Sequence, residues 1–137
     1  MSLVQAKSGA QLLAELRAHP TVERYFESFN AGDFDVTATL FAVNGQLQPP
    51  FEAAVVGSEA IAQYLKTEAA GMQAYPKALV VEPTADSTRR VVVKGHVKAI
   101  VFRVNAAWIF ELNESGEIQS VSVKLLASMQ ELLSLRS

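Results

Sequence analysis

Residues 88–126, TRRVVVKGHVKAIVFRVNAAWIFELNESGEIQSVSVKLL, are rich in β-branched residues and are clearly interrupted only at Asn113-Glu114-Ser115-Gly116. That composition reads as long strands, Thr88–Val101, Val104–Asn113 and Glu117–Leu126, with a further strand at Ala78–Val81 before the Asp86-Ser87 break. No proline and a single glycine, Gly95, lie between Thr88 and Asn113. A continuous strand of that length is far beyond the usual five or six residues, so a reversal is expected at Ala99–Arg103. Ile100, Val101 and Phe102 then fall on a connection, where apolar side chains are unusual and point to a covered surface.

Upstream the period changes from two to about 3.6. Gln11–Ala18 carries Leu12, Leu13 and Leu16 and must break before Pro20. From Thr21, read as an N-cap, Val22, Tyr25, Phe26 and Phe29 fall on one helical face, and Asn30-Ala31-Gly32 supplies the stop. Asp33 is placed to cap a second helix to about Phe41, with Phe34, Ala38 and Phe41 inward. Asn44-Gly45 reads as a turn, followed by a short strand into Pro49-Pro50 and an extended piece over Phe51–Val56. Gly57-Ser58 opens a third helix through Ile61, Tyr64, Leu65 and Glu68, which Gly71 ends. Ser128-Met129-Gln130-Glu131 matches a capping box leading into Leu132 and Leu133. Helices followed by a strand meander predict an α+β fold in a single domain over residues 1–137, with 1–19 as an N-terminal extension and 128–137 as a tail.

Composition narrows the chemistry. The chain has 137 residues, half of them hydrophobic, with 12 basic against 14 acidic residues, a net charge of −2 and no cysteine. Disulfides, thiolate nucleophiles and cysteine-ligated metals are excluded. No basic block marks a nucleic-acid surface, and no apolar run suits a signal peptide or a spanning helix, so a cytoplasmic protein is expected. His19 and His96 have no carboxylate at metal-ligand spacing, and no phosphate-binding, dinucleotide or serine-hydrolase motif occurs. Lys94, His96 and Lys98 alternate on one strand face, the pattern of a solvated surface. Tyr25 and Trp108 stand out, because each carries a hydrogen-bond donor on an otherwise apolar face, Trp108 beside Val104, Ala106, Phe110 and Leu112. Either both donors are satisfied within the core, or both point into a cavity and bind a ligand's oxygen.

The segments YFESFNAGDFDVTATLFAVNGQLQPPF, VVGSEAIAQYLKTEAAGM, NAAWIFELNESGEI and VKLLASMQELLSLR together resemble the C-terminal domains of the cyanobacterial orange carotenoid proteins, from about Val22 to Arg136. The resemblance implies a nuclear-transport-factor-two-like fold, helices forming a cone against a curved mixed sheet around an apolar cavity, in a free-standing homologue of that domain. It implies that Tyr25 and Trp108 donate hydrogen bonds to the keto oxygen of a ketocarotenoid of the canthaxanthin or echinenone type. Phe29, Leu47, Phe51, Ile61, Leu65, Met72 and Phe110 are the expected pocket walls.

It further implies a water-soluble carrier that is not an enzyme. As a homodimer it shares one pigment through apolar residues such as Ile100 and Phe102, and it exchanges that pigment with helical carotenoid proteins and the thylakoid membrane. Photoprotection by singlet-oxygen quenching would come from the pigment. The tail from Ser128 is expected to dock and release. Without cysteine, such a dimer cannot be locked by oxidation. The same fold hosts ketosteroid isomerase, a rival reading together with a hydratase; Tyr25 matches its oxyanion tyrosine, but Gln48-Pro49-Pro50 stands where the isomerase carries its base, with Glu52 and Glu68 the remaining substitutes.

Overall fold

The computed structural model describes residues 9–84 and 86–126. The helices are α1 (Gly9–Arg17), α2 (Pro20–Asn30), α3 (Phe34–Thr39) and α4 (Ser58–Glu68). The strands are β1 (Phe41–Gln48), β2 (Val55–Val56), β3 (Gln73–Glu82), β4 (Arg89–Lys98), β5 (Arg103–Leu112) and β6 (Ile118–Leu126). They form one six-stranded sheet in the order β2-β1-β6-β5-β4-β3. β1 and β6 run parallel and every other pair is antiparallel. This α+β arrangement of helices on an open mixed sheet is the architecture expected from the sequence. The capping-box segment from Ser128 lies outside the described residues.

The inner sheet face is set by period two on β4 and β5. Val91 and Val93 on β4 and Ala106, Trp108, Phe110 and Leu112 on β5 are buried, and so are Ile118 and Val121 on β6, which reach the same face across an irregularity in the β5–β6 pairing. Against them α2 turns Val22, Tyr25, Phe26 and Phe29, the predicted stripe. The contact is largely aromatic: Tyr25 meets Phe110 edge-on at 5.0 Å, and Phe26 meets Trp108 the same way at 5.0 Å. Such edge-to-face pairs contribute about 0.5–1.5 kcal/mol each beyond burial.

Several local expectations are corrected. Pro20, not Thr21, begins α2, following His19. The Thr21 hydroxyl instead donates to the Gly116 carbonyl at 2.7 Å, tying α2 to the β5–β6 turn. Helix α3 stops at Thr39, and Phe41, though buried, opens β1. Asn44-Gly45 is not a turn but lies inside β1, where the pairing with β6 slips between Phe41 and Gln46. A Cβ on Gly45 would stand 2.7 Å from the Ile118 carbonyl oxygen, so a close backbone approach, not a reversal, requires this glycine. The extended piece over 51–56 shrinks to β2, because the chain turns at Pro50–Glu52.

β3 is longer than Ala78–Val81 and runs through Pro76. It is an edge strand, and its pairing with β4 slips between Pro76 and Ala78, which accommodates a proline that cannot donate. Opposite, Gly95 admits the bulge: a Cβ there would lie 2.1 Å from the Tyr75 carbonyl oxygen. The β4–β5 reversal falls at 99–102, as the sequence predicts, closed by the Ala99 N–H on the Phe102 carbonyl at 2.8 Å.

Candidate ligand-binding site

Strand directions put one set of segments at the same end of the sheet: the close of β1, α4 and β6, and the starts of β3 and β5. A cavity of about 320 Å³ opens there between helices and sheet. Tyr25 and Phe29 reach it from α2, Leu47 from β1, Leu65 from α4 and Trp108 from β5. Met72 and Phe51 contribute from the connections. Seven of the nine expected site residues are therefore brought together. Ile61 and Phe110 are not: both are fully buried in the helix–sheet core and do not reach the lining. Periodicity identified their inward face but not the depth at which the cavity stops.

Sequence reasoning missed other lining residues. Pro49 and Pro50 form wall where an isomerase of this fold holds its base, and Val97, Val104, Val123 and Leu125 continue the apolar sheet face. Period two on β4, β5 and β6 could have found these last four. In the sequence Asn30 reads only as a helix stop. Its side chain donates to the Ala74 carbonyl at 2.9 Å and accepts the Ala74 N–H at 2.7 Å, pinning the start of β3 beside the cavity.

Tyr25 and Trp108 are 1% and 2% exposed. Among the described residues, neither the Tyr25 hydroxyl nor the Trp108 indole N–H has a hydrogen-bond partner, although both side chains line the cavity. Burial alone pushes the Tyr25 phenol far above its ordinary value, so it stays a neutral donor. Neither donor atom is among the fully buried side-chain N and O atoms that lack a partner, so both open onto the cavity, where a ligand carbonyl would take the place of solvent.

The rim is different in character. Glu52 and Glu68 line it and are exposed. The Tyr64 hydroxyl donates to Glu52 Oε2 at 2.9 Å. Its pKa is pushed up to about 12, first by desolvation and then by Glu52 and Glu68. Gln48 Nε2 donates to the Glu52 carbonyl and holds the loop. Within that loop Phe51 has φ 63° and is 94% exposed. A left-handed conformation costs a non-glycine residue roughly 1–2 kcal/mol, and no buried contact offsets it.

The SnoaL-like domain model matches residues 22–121. The chain belongs to the SnoaL-like domain family. Among relatives of this SnoaL-like chain, the orange carotenoid-binding protein of Synechocystis sp. is 38% identical over 117 residues, 82% of this chain and 37% of the relative. That of Limnospira maxima is 39% identical over 119 residues, 84% of this chain and 38% of the relative. The chain thus spans well under half the length of these relatives. A structure of the Anabaena (Nostoc) sp. orange carotenoid protein binding canthaxanthin superposes with a TM-score of 0.77 at 34% identity, covering 97% of this chain and 44% of that one. The sequence resemblance and the nuclear-transport-factor-two-like fold are shown by these matches.

Proposed function

We propose that this SnoaL-like domain binds a ketocarotenoid of the canthaxanthin or echinenone type, with Tyr25 and Trp108 donating to one keto oxygen. The observation that carries the reading is the pair of donors without a protein partner on the mainly apolar wall of the cavity, inside its Glu52 and Glu68 rim. Its homology to orange carotenoid-binding proteins, one of them described with canthaxanthin, supports it. The polyene gains affinity by burial, and two donors converging on one carbonyl fix its depth and draw electron density toward the oxygen, shifting absorption to the red.

The cavity volume is near the lower limit of the roughly 300–1,000 Å³ typical of small-molecule sites. It suits a terminal ring and the first conjugated bonds, with the rest of the pigment leaving through the mouth. A second copy, pairing through Phe51, Phe102 and Leu125, would cover the emerging polyene and hold its other ring. All three residues line the cavity and are exposed. In this reading the protein is a cytoplasmic carrier, exchanging pigment with membranes or helical carotenoid proteins, and any quenching of singlet oxygen belongs to the pigment.

Production in a host that makes canthaxanthin tests the reading. Purified protein should carry intact pigment absorbing to the red of its value in organic solvent; a colourless protein would contradict it. One observation favours the isomerase-like alternative: Glu52 and Glu68 reach the lining. Both are exposed at the rim, however, and Glu52 already accepts from Tyr64. Proton exchange into a ketosteroid, lost in Glu52→Gln or Glu68→Gln, would support that alternative.

A further inference from the structure

The β4–β5 connection has residues that turn chemistry does not explain. A short hairpin connection favours Gly, Asn or Asp at its tip. This one places Ile100 and Val101 there, 94% and 87% exposed, followed by Phe102 at 47%. Positive φ does not account for the choice, since Phe51 is the non-glycine residue with that conformation among those described. Nor does packing, because Ile100 and Val101 project away from the core and, unlike Phe102, do not line the cavity. What selects these side chains must lie outside the described fold.

Charge identifies the surface they fit. The chain has more acidic than basic residues, yet no Asp or Glu occurs from Arg89 to Phe110. Lys98 and Arg103 pair across the base of the tip. On the outer sheet face behind them lie His96, stacked on Tyr75 at 4.8 Å, and Lys94. His96 is held below its ordinary pKa first by desolvation, then by Arg103, Lys77 and Lys98, so the local field is positive. A second copy meeting tip to tip would set Lys98 and Arg103 against their own equivalents. An apolar tip with a basic collar complements an anionic bilayer instead: the side chains enter the acyl boundary and the cations meet headgroups.

We infer that Ile100 and Val101, collared by Lys98 and Arg103, dock the cavity mouth onto a bilayer surface bearing anionic lipid headgroups. The inference rests on the proposed pigment site and names the surface against which that site would load and unload. Phe102 connects the two, since it follows the tip and lines the cavity. The acidic groups that line the mouth, Glu52 and Glu68, lie on the β1–β2 connection and α4 and not on the tip, so an anionic surface attracts the tip in preference to them.

Flotation of pigment-free protein with vesicles tests this independently of the pigment. The protein should float with phosphatidylcholine–phosphatidylglycerol vesicles, less with phosphatidylcholine alone, and less again as salt rises. Ile100→Asp with Val101→Asp should reduce the bound fraction about tenfold or more. Lys98→Glu with Arg103→Glu should abolish the preference for anionic lipid. All four positions are exposed, and far-UV circular dichroism checks that the variants remain folded. Equal flotation of wild type and both variants overturns the inference, as does no flotation by wild type. A wild-type dimer that becomes monomeric in the Asp variant without any vesicle binding also overturns it, assigning the tip to self-association. A colourless protein in the canthaxanthin host would sink the pigment site without changing the flotation result.

Discussion

At one end of the sheet the chain reverses through polar turns that satisfy themselves. Asn113 Oδ1 accepts the N–H groups of Ser115 and Glu117, Asp86 Oδ1 accepts the Thr88 N–H, and Thr21 ties α2 to Gly116. At the other end it reverses through Ile100, Val101 and Phe102, through a left-handed Phe51, and past an exposed Leu125. Both ends carry antiparallel connections of one sheet, β3–β4 and β5–β6 at the first and β4–β5 and β1–β2 at the second, so strand pairing does not account for the difference. One end is finished by its own hydrogen bonds; the other leaves apolar side chains in solvent and two donors on the cavity wall without a protein partner. The difference sets the mouth, where the proposed site lies, apart from the packed remainder of the molecule.

The largest effect should come from breaking the packed region. Phe110→Ala removes a fully buried ring beneath Tyr25 and should cost about 3–5 kcal/mol in urea denaturation. Phe51→Ala, at the mouth, should cost almost nothing; a cost comparable to that of Phe110→Ala would erase the contrast between the two regions. Next in size is Asn30→Ala, which leaves the buried Ala74 backbone groups unpaired and should cost about 1–3 kcal/mol. Hydrogen exchange at the Ala74 amide should speed up well before that of the β4–β5 pairs. Tyr25→Phe should change the stability of the pigment-free protein by no more than about 1 kcal/mol, since the hydroxyl has no partner to lose. A core tyrosine satisfied by a backbone carbonyl would give a clear loss in thermal melts.

The smallest effect concerns the rim. The Tyr64 phenol is raised in the folded state, so its contribution is fully present below its ordinary pKa of 10.0 and is lost as pH rises toward about 12. A Tyr64→Phe variant should remove this component of the alkaline stability loss. Identical alkaline profiles for variant and wild type would show that neither the burial of the Tyr64 phenol nor its contact with Glu52 couples its ionisation to folding.

Much of this was legible in the sequence because its periods are simple. The α2 stripe, the inward face of β5 and the solvated face of β4 follow from spacing, as does the reversal near Ile100. What spacing could not supply was tertiary. Asn44-Gly45 has the letters of a turn, but its glycine answers to the Ile118 carbonyl, far along the chain. Thr21 has the letters of a cap, but its hydroxyl is drawn to Gly116. The strand expected at Ala78–Val81 begins earlier, at Gln73, because the edge position of β3 and the facing Gly95, which let it run through Pro76, are properties of the assembled sheet. Ile61 and Phe110 show the same limit at the site: inward-facing positions were readable, and the boundary between core and cavity was not.

The central claim is that Tyr25 and Trp108 are unpaired because a ligand's keto oxygen pairs them. The absorption spectrum of pigment retained by Tyr25→Phe with Trp108→Phe, purified beside the wild type from a canthaxanthin-producing host, tests it most directly. The account predicts a red-shifted pigment on the wild type and, on the double variant, either little retained pigment or a spectrum moved back toward that in organic solvent. An unchanged spectrum and unchanged retention in the double variant would contradict it.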